Sequence, residues 1–96
     1  MYQINDTISN QGFNKLQVSK LNNEPAETIL ITLEKGATFP EHTSPRDAHI
    51  IVLEGEIQFH INSEIFHLKT YQDFKFPKET KHWVEAIENS KFLIIR

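Results

Sequence analysis

Hydrophobic residues in this chain fall in short runs, and turn-forming residues separate the runs. The run from Thr28 to Leu33 is β-branched and apolar on both faces, and Glu34, Lys35 and Gly36 end it. Ala48 to Leu53 is a second continuous apolar run, closed by Glu54 and Gly55. The pattern then changes. Ile57, Phe59 and Ile61 alternate with Glu56, Gln58 and His60, which is the period of a strand with one buried face. Asn62 and Ser63 follow as a two-residue hairpin turn, because Asn tolerates the positive φ such turns demand. That turn puts Phe66 opposite Phe59 and Leu68 opposite Ile57, so both strands bury the same side.

Further strands are predicted near Phe74–Phe76, over His82–Ile87 and over Lys91–Ile95. Trp83, Ala86 and Ile87 also fit a helical face, but the turn at Glu88, Asn89 and Ser90 favours a strand that returns antiparallel into the last run. Before Thr28 the chain is polar, with Ile4, Ile8, Phe13, Leu16 and Val18 as scattered anchors and a turn over Asn22–Pro25. The single domain, 1–96, therefore divides into a polar arm with a first strand over 1–27 and a barrel core over 28–96. About eight to ten short strands at turn spacing predict an all-β protein, a barrel or an antiparallel double-sheet jelly roll.

Two histidines arrive at strand ends. The segment after Gly36 holds Pro40 and Pro45 and reads as a loop that delivers His42 to the barrel mouth. Pro77 precedes His82 in the same manner. A shared pocket is the simplest reading of both.

Composition narrows the partners. A chain of 96 residues has room for one core and little else, so a homodimer is expected as a way to bury more apolar surface. The strand over Ala48–Leu53, apolar on both faces, points the same way. The net charge is -3 and no basic run tracks a phosphate backbone, which excludes nucleic acid. No segment approaches the roughly 20 apolar residues of a membrane span, so no membrane partner is expected. The first residues lack a basic region followed by an apolar stretch, so a cytoplasmic location is expected. The absence of cysteine excludes disulfides, thiolate metal sites and cysteine nucleophiles.

The chain resembles the cupins, small jelly-roll barrels. Their first motif is G-x5-H-x-H-x3,4-E-x6-G, and Gly36, His42 and Gly55 fall on it without a gap. Their second is G-x5-P-x-G-x2-H-x3-N, which Pro77 and His82 match. The resemblance covers the chain from Ile29 onward and implies an antiparallel cupin barrel. In metal-binding cupins the histidine pair, the glutamate and the second-motif histidine hold one transition metal. Here Ser44 and Ala48 stand at two of those four positions, and Tyr71, Glu79 and Ala86 replace the motif glycines and asparagine. The resemblance thus implies a family fold with an incomplete ligand set, His42 and His82.

A catalytic metal site usually has about three protein ligands and an open position. Two imidazoles would leave a divalent transition metal weakly held, largely by water. The favoured reading is a barrel that binds a small molecule without a complete metal site. Its pocket is expected to be lined by His42, Ser44, His82, Ala48, Ile50, Val52, Ile57, Phe59 and Phe66. Loss of a carboxylate at Ala48 favours a neutral or partly apolar ligand over a dication. The alternatives implied by the resemblance are a metal-assisted isomerase or oxygenase using His42 and His82, and a sensor or interaction module. His60 and His67 read as surface residues, and His49 as part of an apolar patch covered by another element or a second subunit. Asp47 reads as a turn group and Trp83 as core.

Overall fold

The computed structural model describes residues 2–96. One helical turn, α1 (Thr7–Asn10), precedes nine strands: β1 (Leu16–Asn22), β2 (Thr28–Leu33), β3 (Thr38–His42), β4 (Ala48–Glu54), β5 (Glu56–Ile61), β6 (Glu64–Lys69), β7 (Asp73–Phe76), β8 (His82–Ala86) and β9 (Ser90–Ile95). They form a five-stranded sheet in the order β1-β2-β9-β4-β7 and a four-stranded sheet in the order β3-β8-β5-β6. Every pairing is antiparallel. This is the double-sheet jelly roll that the short-run pattern predicts.

Alternation decides what lies between the sheets. Ile29, Ile31 and Leu33 of β2, Ala48, Ile50 and Val52 of β4, and Ile57, Phe59 and Ile61 of β5 all point into one core with Val84 and Phe92. The β5–β6 hairpin has the expected register, Phe59 against Phe66 and Ile57 against Leu68. Asn62 and Ser63 both have positive φ, 51° and 61°, so the turn has the twist of its flanking strands. At Gly55, φ is 91° and a Cβ would lie 2.4 Å from the Asn89 carbonyl oxygen, so only glycine lets these segments meet. Ser90 stitches the same corner: its hydroxyl accepts from the Glu56 N–H at 3.1 Å and donates to the Glu88 carbonyl at 2.7 Å.

Two sequence expectations change. The segment holding Pro40, expected as loop, forms β3, which pairs with β8 through Phe39 and Val84. Proline is accommodated there because β3 is the edge of its sheet and the register shifts between Phe39 and His42. The turn over Glu88–Ser90 does not join two paired strands. It carries the chain from the four-stranded sheet to the five-stranded one, where β9 lies between β2 and β4.

The N-terminal arm reaches across the outer face of the larger sheet. Lys91, largely buried, donates from Nζ to the Ile8 carbonyl at 2.7 Å and lies over the Phe13 ring at 5.6 Å. Leu30 and Thr32 on this outward side are also buried. The chain's own arm thus accounts for part of the two-faced apolarity of β2. Farther along this face, His49 Nε2 lies 2.6 Å from Asp73 Oδ2 and is half-buried, among the half-buried Ile51 and Leu53.

The outer face of the smaller sheet corrects two further readings. Trp83 is not core: it stands half-buried on that face with its ring stacked on His60, centroids 3.6 Å apart and 7° from parallel. His60 is therefore covered rather than freely solvated. His67 is exposed and bonds Gln58 through its Nε2. Among the described residues no helix is long and apolar enough to cross a membrane.

Candidate functional site

A cavity of about 220 Å³ opens between the sheets at the end where β1, β2, β3, β8 and β9 meet. Its walls are apolar side chains, Val18, Ile29, Ile31, Phe39, Val84, Phe92 and Ile94, with Phe59 and Phe76 against the core. Its polar groups are His42, Thr43, Ser44, His82 and Arg96. Among the described residues no Asp or Glu side chain lines it.

His42 and His82 are register partners on β3 and β8. Their ring centroids are 4.3 Å apart at 64°. Phe39 stacks on His42 at 4.1 Å, and Phe59 stacks on His82 at 5.3 Å, so neither imidazole is free to swing. His42 Nδ1 lies 2.7 Å from the Pro40 carbonyl, and His82 Nδ1 lies 2.8 Å from the Thr80 carbonyl. A carbonyl oxygen can only accept, so Nδ1 carries the proton in both rings. In a neutral ring Nε2 then holds the lone pair, on the side turned away from the backbone. Burial holds the His82 pKa below the ordinary imidazole value, with the nearby charges of His42 and Arg96 adding to it and the Thr80 hydrogen bond opposing. His82 is therefore a neutral hydrogen-bond acceptor at physiological pH.

Ser44 is buried, and its hydroxyl donates to the Arg46 carbonyl at 2.6 Å. With its proton committed, it is an acceptor toward the cavity, and Arg96 Nη1 approaches it at 3.4 Å. Arg96 is set by Glu27: Nε donates to Glu27 Oε1 at 2.5 Å, and the two main chains exchange N–H···O bonds of 2.9 and 2.8 Å. Lys20 Nζ holds the other Glu27 oxygen at 3.0 Å. The Arg96 and Lys20 hydrogen bonds lower the Glu27 pKa to about 2. Glu27 is thus always ionised at neutral pH, and the trio carries one net positive charge.

Of the residues expected to line the pocket, the structure brings together His42, Ser44, Phe59 and His82. It does not bring Ala48, Ile50, Val52, Ile57 or Phe66 to the cavity. Ala48, Ile50, Val52 and Ile57 are packed in the core, and Phe66 packs against it. The reason is an aromatic cluster. Phe74 touches Phe59 and Phe66 at 5.1 and 4.9 Å between centroids, and Phe76 touches Phe59 at 4.9 Å, filling that half of the barrel. Asp47 is a turn group, with Oδ1 accepting the Lys78 N–H at 2.9 Å. Arg96 was missed, although period-two alternation from Phe92 through Ile94 points it inward.

The turn residues of the second motif have backbone that favours glycine. Tyr71 and Glu79, at its glycine positions, both have left-handed φ, 72° and 57°. The model of the cupin domain matches residues 29–95, and the chain belongs to that family. The fold is shared by an RmlC-like cupin protein from Desulfovibrio desulfuricans, with TM-score 0.85, 20% identity and coverage of 99% of this chain and 95% of that one. It is shared by a conserved protein of unknown function from Streptococcus pyogenes, with TM-score 0.81, 20% identity and coverage of 99% and 86%. A cupin 2 conserved barrel domain protein from Leptotrichia buccalis has TM-score 0.78 and 29% identity over 84% of this chain and 40% of its own. None of the curated proteins matches.

The family pattern implies a transition metal, and the donor set here does not fit one as a resident catalytic ion. His42 and His82 offer two nitrogens, while Ser44 is bonded to Arg46 and Ala48 has no donor. No group of three or more His, Cys, Asp or Glu residues that could hold a metal occurs among the described residues. The Arg96 cation at the same mouth would also repel a dication.

Proposed function

We propose that this cupin binds a small molecule in the cavity between its sheets, and that the two imidazoles meet the ligand as hydrogen-bond acceptors. The observation that carries this reading is an apolar cavity whose polar groups converge at one end, the usual form of a small-molecule site. Fragment screening by amide NMR tests it. Fragments should perturb residues such as Ile31, Val84 and Phe92, and a cavity-filling Val84→Phe variant should abolish the response. Perturbations confined to other surfaces, or unchanged in the filled variant, would contradict it.

A second reading is a weakly held divalent transition metal on His42 and His82, as a metal-assisted enzyme would use. One observation favours it: both Nδ1 atoms are pinned by carbonyls, which is how ligating histidines are oriented. The count of donors and the positive mouth oppose it.

A further inference from the structure

We propose that the cavity selects a compact carboxylic acid that carries a hydroxyl group beside the carboxylate and a short apolar tail. The inference rests on the binding reading above and names the class of ligand.

Charge comes first. Among the described lining residues Arg96 alone has a permanently charged side chain, and no Asp or Glu side chain neutralises it from within. Glu27 does not cancel it, because that carboxylate is shared with Lys20. A guanidinium has five N–H donors in a planar fork. Two are engaged, by Glu27 at Nε and by Ser44 at Nη1, and the Glu27 contacts to both side chain and main chain fix where the rest point. A preset guanidinium over an apolar cavity is matched by a carboxylate, the anion whose two oxygens fit the fork.

The neighbouring groups have the opposite polarity. Both Nδ1 protons are given to carbonyls, so in the neutral rings Nε2 is the acceptor left on each of these two cavity-lining imidazoles. Two acceptors beside one cation call for a hydrogen-bond donor adjacent to an anion, and a 2-hydroxy acid has that arrangement. An amino group in place of the hydroxyl would add a cation beside Arg96. The remaining walls, including Ile29, Ile31, Val84 and Phe92, offer no polar partner, so the far end of the ligand is hydrocarbon. The volume of about 220 Å³ lies below the ~300–1,000 Å³ usual for small-molecule sites, which limits the tail to a few carbons.

The test is calorimetry of the full chain with 2-hydroxy acids from lactate to 2-hydroxyoctanoate, their primary amides, and the matching acids without the hydroxyl. The acids with a branched or linear tail of intermediate length should bind, and each amide should bind at least about tenfold more weakly, the worth of one charge-assisted hydrogen bond. Arg96→Gln should erase the preference for acid over amide, and Arg96→Lys should restore part of it. The acid lacking the hydroxyl should also bind more weakly than the hydroxy acid. The acid and amide comparison uses the wild-type chain, so it stands even if an Arg96 variant misfolds. Equal binding of acids and amides overturns the ligand class while leaving small-molecule binding intact. Equal binding with and without the hydroxyl overturns the role given to the imidazoles. No heat from any compound, amides included, together with no fragment response in the NMR screen, overturns both readings.

Discussion

His42 and His82 face one another across the β3–β8 pair at 4.3 Å, and each donates its Nδ1 proton to the carbonyl two residues before it, Pro40 or Thr80. The two rings thus share one local geometry, although His42 ends β3 and His82 begins β8. It holds both rings in place, with each Nδ1 committed to the backbone.

Protonating His82 should destabilise the fold. Its folded pKa lies below that of the unfolded chain, so the unfolded state takes up the proton first. Stability from this group is complete above about pH 6.5 and is lost as pH falls through the folded value. Long-range nitrogen NMR should show His82 with a bare Nε2 at pH values where a free imidazole is already half protonated. A titration midpoint above the free value would contradict the burial argument. His82→Gln should flatten the stability profile over the same window.

Glu27 governs a lower window. Its pKa of about 2, set by Arg96 and Lys20, lies below the ordinary 4.5. The contribution to stability is therefore present above about pH 4.5 and is lost as pH falls toward about 2. Denaturation curves of Glu27→Gln should show a shallower acid limb than wild type and a lower midpoint at neutral pH. Superimposable acid limbs would mean that the Glu27 bridge does not hold the β2 and β9 ends together.

Tyr71 and Glu79 carry left-handed backbone without glycine, which costs roughly 1–2 kcal/mol per residue relative to an unstrained conformation. Both side chains are exposed, so removing them forfeits little burial. Tyr71→Gly and Glu79→Gly should each raise stability by up to about 1 kcal/mol in chemical denaturation, the gain being reduced by the added flexibility of the unfolded chain. A loss of stability at both positions would show that their side chains, rather than their φ angles, matter.

The legible part of this structure is the part written in alternation. Ile57, Phe59 and Ile61 against Glu56, Gln58 and His60 define β5, and Asn62 and Ser63 define its turn, so the register of the hairpin is legible in the sequence alone. The same rule, carried to the end of the chain through Phe92 and Ile94, leads to Arg96, the charge that changes the character of the cavity. Three features lie beyond such reasoning because they depend on contacts between distant segments. The rings of Phe59, Phe66, Phe74 and Phe76 close one half of the barrel and displace the cavity from Ile50, Val52 and Ile57. Pro40 lies in a strand only because that strand is an edge. Trp83 leaves the core because its alternate neighbours, His82 and Val84, occupy the inward positions.

We propose that the imidazole pair serves a bound molecule and not a resident metal. The most direct measurement is elemental analysis of untagged protein, prepared without immobilised nickel, combined with melting curves before and after a strong chelator. The protein should hold no stoichiometric iron, manganese or zinc, and its melting temperature should be unchanged by the chelator, since no bound ion adds stabilisation by mass action. One transition metal per chain, with a chelator-induced fall in melting temperature that His42→Ala abolishes, would contradict it.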